Sequence, residues 1–222
     1  MINLESEKTA GFEVLTRGPE GKLFSAPNLF GAAEHYDLSE ELNYLCLKKG
    51  LKWGQKLPEK YFLSLNIDSK LLHDDILLDF LNKTKYTSLH SRLYLEIIEH
   101  MPLFLLNKIK GVINKIGQLG INFALDDTGC GFFDLDTVKM VKPSLVKLCI
   151  TVTNRLLDGE EVSQDIIATI NRIKEISPES IVLAEGIEQK QQLEILKQCQ
   201  VDMGQGYYFA RPRPAKKVLA DV

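Results

Sequence analysis

The sequence has no apolar run approaching the roughly 20 residues that a membrane-spanning helix needs. Its opening, "MINLESEKTAG", has neither the basic start nor the apolar stretch of a signal peptide. CxxC spacing is absent: Cys46, Cys130, Cys149 and Cys199 are scattered, and reduced thiols in a cytoplasmic chain are expected. There is no excess of positive charge, since 27 Lys and Arg face 30 Asp and Glu for a net charge of −3. A broad basic surface for a nucleic-acid polymer is therefore not expected. The four histidines, His35, His73, His90 and His100, fall on predicted helices, loops or just past a strand. They form no Ser–His–Asp or Cys–His arrangement. No Pro/Gly/Ser-rich linker and no repeat divides the chain, so residues 1–222 are read as one domain.

What is present is a rhythm. Hydrophobic residues make up 45% of the 222 positions and charged ones 26%, enough for a full core in a globular protein. Short apolar runs alternate with longer amphipathic ones. Strands are predicted at 11–16, 61–66, 92–98, 121–126, 144–150, 180–185 and 201–206. Helices are predicted at 103–119, 162–176 and 189–199. The first of them carries Leu105, Leu106, Ile109, Val112, Ile113, Ile116 and Leu119 at helical spacing. Repeated strand–helix units imply a mostly parallel sheet. Because no Gly-rich phosphate loop follows the first strand, a dinucleotide-binding fold does not fit. The expected class is α/β, a TIM-like (β/α) barrel. Such barrels run to about 250 residues and eight strands. This chain looks one strand short, with "INLES" as the stub of a further N-terminal strand.

The strand ends are polar. Glu13, Asn66, Glu96, Asp126 with Asp127, Lys147, Glu185 and Gln205 each lie at or near one. In a β/α barrel those ends converge on one face, where active sites form. Alternation puts Phe62, Ser64 and Asn66 on a common face, likewise Tyr94 and Glu96, Asn122, Ala124 and Asp126, and Leu145, Lys147 and Cys149. Ser64 and Ala124 are small, as a crowded interior requires. Five carboxylates and one lysine then share a mouth. Like charges in a poorly solvated place repel, so either some carboxylates hold protons or divalent cations neutralise them. An all-oxygen set suits Mg²⁺, Mn²⁺ or Ca²⁺ better than zinc. Two such ions in an open site are a recurring solution for phosphodiester hydrolysis. Taken singly, each residue also has an ordinary reading. Glu13 or Glu185 can be an ion-paired strand end, Lys147 a salt-bridge partner, and "DDTGCG" an Asx-type turn with glycines at positive φ. Joint placement at one face favours a site.

Taken in order, "EVL" with Arg17, "SLN", "LEIIE", "DDTGCG", Lys147, "AEGIE" and "QGY" resemble the motifs of the EAL-domain family, bacterial phosphodiesterases that linearise cyclic di-GMP. The match covers nearly the whole chain. The resemblance implies two divalent ions, Mg or Mn. Glu13, Asn66, Glu96 and Asp126 would hold the first, and Asp126, Asp127 and Glu185 the second. It implies that Lys147 holds the attacking water, that Glu99 orders the DDTGCG loop and that Arg17 contacts phosphate. Gln205 would line the site and Glu188 support it. It also implies cyclic di-GMP as ligand, a homodimer and a cytoplasmic location, with no nucleic-acid polymer and no membrane contact. The family's YQPI-like strand would precede Ile2, so the chain is expected to be part of a longer regulatory protein.

The pattern is broken in three places. Thr128 stands where the family has Phe, and Cys130 where it usually has Thr. Cys149 stands where an Asp usually follows the lysine by two residues, which removes a carboxylate from the Lys147 face. The expected function is metal-dependent hydrolysis of cyclic di-GMP to linear pGpG, with activity lowered by Cys149 and the altered loop. The alternative is an EAL-like domain of weak or no turnover, acting as a cyclic di-GMP receptor or protein-interaction module.

Overall fold

Apolar residues at strand and helix spacing decide where the chain crosses the core and where it wraps around it. The structure, a computed structural model, describes residues 1–72, 75–83, 86–98, 103–129 and 135–222. The strands are β1 (Ile2–Asn3), β2 (Gly11–Val14), β3 (Phe62–Asn66), β4 (Leu93–Ile98), β5 (Asn122–Thr128), β6 (Leu145–Leu148), β7 (Ile181–Ala184) and β8 (Met203–Gly204). The helices among the described residues are α1 (Ala26–His35), α2 (Ser39–Gly54), α3 (Ile76–Lys83), α4 (Leu103–Gln118), α5 (Leu135–Val141), α6 (Ile150–Arg155), α7 (Glu160–Ile176), α8 (Lys190–Gln198) and α9 (Ala215–Val218). All seven expected strands and all three expected helices are present, with no end displaced by more than two residues. None of the described helices is long and apolar enough to cross a membrane.

The strands form one sheet in the order β1-β8-β7-β6-β5-β4-β3-β2. From β2 to β8 every neighbouring pair is parallel. The expectation of a missing strand is corrected here, because the opening segment supplies an eighth, β1, which runs antiparallel to β8 with Ile2 opposite Gly204 and Asn3 opposite Met203. Its direction follows from the length of its connection to β2. A short turn can only return the chain antiparallel, whereas a parallel return needs a crossover of a dozen or more residues. The turn is held by Asn3 N–H to Lys8 O at 3.0 Å and Ala10 N–H to Met1 O at 3.0 Å, and an Ile2–Thr9 bridge links the two ends of the sheet. The barrel is thereby nearly closed.

The core has an outer belt and a narrow inner column. Outward residues of the strands, among them Leu63, Leu65, Leu95, Ile97 and Leu125, pack with Leu47 and Leu51 of α2 and Ile109, Ile113 and Ile116 of α4. Val146, Leu148, Val182 and Ala184 pack in the same way under α7 and α8. The inner column consists of Ala124, Leu145, Leu183 and Met203, with Phe62, Tyr94 and Ile181 against them. The Phe62 and Tyr94 rings lie 4.9 Å apart between centroids. Gly11 is needed on the inner side of β2, since a Cβ there would fall 2.5 Å from the Phe62 ring. This apolar plug fills the lower barrel, so the next inward positions up each strand form the floor of a polar mouth.

Candidate active site

Above the plug stand Ser64, Glu96 and Lys147, all buried, and above them Glu13, Asn66, Asp126, Glu185 and Gln205. The register sets this layering. Glu13 lies beside Ser64, Asn66 beside Glu96, and Glu96 beside Ala124. Lys147 is at the centre, with a side chain only 1% exposed. Its Nζ lies 2.9 Å from Asp126 Oδ1, 2.9 Å from Glu185 Oε1, 3.0 Å from Glu96 Oε2 and 3.5 Å from Glu13 Oε2. Amide and hydroxyl donors complete the ring. Gln205 Nε2 donates to Glu185 Oε1 at 2.6 Å and to Glu13 Oε2 at 2.9 Å, and Asn66 Nδ2 donates to Glu13 Oε1 at 3.2 Å. The Ser64 hydroxyl donates to Glu96 Oε1.

Asp127 reaches the mouth by a device that alternation does not foresee. Consecutive strand residues point to opposite faces. Here the β5–β6 register shifts between Leu125 and Thr128, and Asp127 takes φ 57°. Such a bulge re-aims side chains next to a site. As a result Asp126, Asp127 and Glu185 bring one carboxylate oxygen each to within 4.8 Å of one another. Just past β7, Gly186 at φ 68° turns the chain away immediately after Glu185; a Cβ there would lie 2.2 Å from Ile150 Cγ1.

The charges do not balance. Burial pushes the Glu96 carboxyl up to about 8, against the pull of Lys147 and with added push from Glu13 and Asp126. Burial likewise pushes Glu185 up to about 7, with Lys147 opposing and Asp126 adding. Burial also acts to raise Glu13, but Lys147 and the amides of Gln205 and Asn66 outweigh it and hold the group below the usual range. For Lys147, burial works against the charge; Glu96, Glu13, Glu185 and Asp126 overcome it and hold the ammonium well above its ordinary value. One buried cation therefore serves an excess of carboxylates. An all-oxygen donor set with unmet negative charge fits a hard divalent cation.

A pH dependence follows. Above the ordinary carboxyl value, the folded protein without added metal keeps protons that the unfolded chain has released, on Glu96 up to about 8 and on Glu185 up to about 7. Stability from these groups is complete below the unfolded value and is lost as pH rises through about 7 and 8. Lys147, held high, and Glu13, held low, do not titrate in that window. In EDTA the melting temperature is expected to fall between about pH 5 and about pH 8.5, and saturating Mg²⁺ is expected to flatten that fall by replacing protons with a bound ion. Thermal scans in both buffers check it. A melting temperature that is flat or rises in EDTA would count against this charge arrangement.

Most of the residues expected at the site are brought together: Glu13, Asn66, Glu96, Asp126, Asp127, Lys147, Glu185 and Gln205. Two lie apart from the carboxylate cluster. Arg17 is exposed just beyond β2, its Nη1 donating to Thr16 O at 2.7 Å, and Glu188 is exposed, its backbone N–H donating to Gln192 Oε1 at 2.9 Å. Glu99 and Cys130 lie outside the described residues. Cys149 is buried at the end of β6, where its N–H donates to Thr128 O at 3.0 Å and its Sγ lies 2.8 Å from Thr151 Oγ1. It is disulfide-bonded, whereas Cys46 and Cys199 are free. The expectation of reduced thiols throughout is corrected at Cys149. Sequence reasoning treated Ser64 as a space filler and missed its hydroxyl. Only its position two residues below Asn66 on one strand face could have marked it.

The chain matches the EAL domain family over residues 1–212. It is 25% identical over 223 residues to the signaling protein YkoW of Bacillus subtilis, covering 97% of this chain and 28% of that protein. It is 26% identical over 220 residues to the probable cyclic di-GMP phosphodiesterase PdeG of Escherichia coli, covering 96% of this chain and 43% of that protein. The chain thus spans less than half the length of either relative. The crystal structure of an EAL domain protein from Listeria monocytogenes superposes with a TM-score of 0.86 at 25% identity, covering 99% of this chain and 88% of that one. With a family match of this extent on a nearly closed β/α barrel whose strand ends carry its motifs, the chain belongs to the EAL domain family.

Proposed function

We propose that the chain is a metal-dependent phosphodiesterase that opens one of the two phosphodiester bonds of cyclic di-GMP with water, giving linear pGpG. The observation that carries the reading is the group of carboxylates around Lys147 at the mouth of an EAL-family barrel. Membership of that family and the name of the relative PdeG supply the substrate. Glu13, Asn66, Glu96 and Asp126 would hold one divalent ion and Asp126, Asp127 and Glu185 a second, magnesium or manganese in either place. Bound there, such ions supply positive charge to phosphate oxygens and lower the pKa of a water.

The residues of the chain do the positioning. Lys147 offers an ammonium hydrogen that orients the attacking water, and the surrounding carboxylates fix where that hydrogen points. Gln205, donating to both Glu13 and Glu185, holds those two carboxylates together. Arg17 turns its guanidinium towards the phosphate when ligand is bound, while Glu99 and Glu188 support the loops beside the mouth. Cys149 and Thr128 lower the rate, because a half-cystine supplies no carboxylate on the lysine side of the strand. We place the domain in the cytoplasm, as a homodimer and as part of a longer signalling protein.

The test is incubation with cyclic di-GMP and Mn²⁺, with chromatographic detection of pGpG, beside a binding titration without metal. Turnover supports the enzyme. Binding without turnover would leave a receptor domain, and neither would overturn the reading. Arg17→Ala is expected to weaken binding by about 1.5–3 kcal/mol, the scale of a charge-assisted hydrogen bond, and calorimetric titration reads it directly. Unchanged affinity would remove Arg17 from the phosphate site.

A further inference from the structure

Ser64, the first residue of the "SLN" motif, lies in the second layer of the barrel, wholly buried, and the resemblance gives it no role. Its hydroxyl donates to Glu96 Oε1, while Glu96 Oε2 faces Lys147 Nζ at 3.0 Å. Glu96 is thus gripped at both oxygens by buried groups on different strands, β3 and β6. Strand register places Ser64 opposite Tyr94, and Glu96 opposite Asn66. The tilt of strands in a barrel nevertheless brings Ser64 level with the Glu96 carboxylate on the next strand. Without Ser64, Glu96 would keep the lysine and lose the hydrogen bond that fixes its rotation about the last side-chain torsion, a broad and weakly restricted angle.

We infer that Ser64 is a positioning residue for divalent-cation binding, holding Glu96 so that the oxygen facing Lys147 is also the one presented to the ion. This rests on the proposed metal site and adds to it a residue that touches neither ion nor substrate. Outer-shell partners of this kind are worth about 10–100-fold in metal affinity. Neighbouring Ala124 cannot take the role, because it has no donor.

The experiment measures Mn²⁺ binding to the full chain by calorimetry, with no substrate present, for wild type, Ser64→Ala, Ser64→Cys, Glu96→Gln and the double variant Ser64→Ala/Glu96→Gln. Circular dichroism confirms that each is folded. The expected result is a loss on the order of 10-fold or more for Ser64→Ala, a smaller loss for Ser64→Cys, whose thiol is a weaker donor of similar size, and no further loss from Ser64→Ala once Glu96 is Gln. Unchanged Mn²⁺ affinity in a folded Ser64→Ala would overturn the inference, as would an equal loss on the Glu96→Gln background. If Ser64→Ala does not fold, the Ser64→Cys comparison decides in the same way. Absence of Mn²⁺ binding in wild type would instead strike the metal site itself.

Discussion

Lys147→Met is expected to leave a protein that folds poorly at pH 8, recovers at pH 5 and turns over cyclic di-GMP at least 10²–10⁴-fold more slowly than wild type. The stability part follows from burial. Removing the ammonium leaves Glu13, Glu96, Asp126 and Glu185 within a few ångströms of one another without their shared cation. Breaking a buried ion pair by deleting one partner costs about 3–5 kcal/mol, because the remaining charge is stranded. Here the cost depends on pH in a known direction. Glu96 and Glu185, already pushed up to about 8 and about 7 with the lysine in place, rise further without it and become neutral in acid. The deficit is therefore large above pH 8 and small near pH 5. Divalent cations are expected to restore much of the melting temperature, since they bind the native carboxylates and not the unfolded chain. They are not expected to restore turnover, because the positioned hydrogen-bond donor is gone and a group in that role is worth about 10²–10⁴-fold. Melting curves at two pH values with and without Mn²⁺, read beside initial rates, separate the two effects. Wild-type turnover in a folded Lys147→Met would remove the lysine from the chemistry.

The sequence makes this site visible through one simple geometric fact: in a β/α barrel, inward residues two apart on a strand stack on one face, and strand ends meet. That places Asn66 above Ser64 and Asp126 above Ala124, and it sets Lys147 among the carboxylates that share the mouth. What stays hidden depends on contacts between strands. Asp127 is adjacent to Asp126 and should face away; only the register shift and the positive φ at Asp127 turn it towards Glu185. Ser64 reads as a small filler because period-2 alternation carries no information about the tilt that brings it beside Glu96. The direction of β1 is illegible too, since two residues show no periodicity, and the length of the turn after them decides it. Gln205 was expected at the mouth, but its role in joining Glu13 to Glu185 across the barrel depends on β8 lying next to both β7 and β1, a pairing no local pattern encodes.

Asp126→Asn is expected to act with the opposite sign on stability and the same sign on turnover. Asp126 is the one residue assigned to both cations, and it also contacts Lys147 at 2.9 Å. Its charge pushes up both Glu96 and Glu185. Replacing it by the neutral isostere removes one repulsive carboxylate and leaves Lys147 with Glu13, Glu96 and Glu185 as partners. In EDTA at pH 8 the variant is therefore expected to melt at or above the wild-type temperature, and its melting temperature is expected to fall less steeply with pH, because Glu96 and Glu185 move back towards their ordinary values. The gain from Mn²⁺ should vanish or shrink to a small fraction, since the shared ligand is lost. Turnover should fall by about 10³-fold or more, at least the scale of deleting one preorganised electrostatic group. The contrast between the two variants carries the test. A structural salt bridge would make Lys147→Met and Asp126→Asn both destabilising and equally insensitive to Mn²⁺. A cation site held in balance by one lysine makes the lysine variant unstable and rescued by metal, and the aspartate variant stable and indifferent to it. An Asp126→Asn protein that melts several degrees below wild type in EDTA, yet still gains the full wild-type increment from Mn²⁺, would show that Asp126 belongs to the fold and not to the ions.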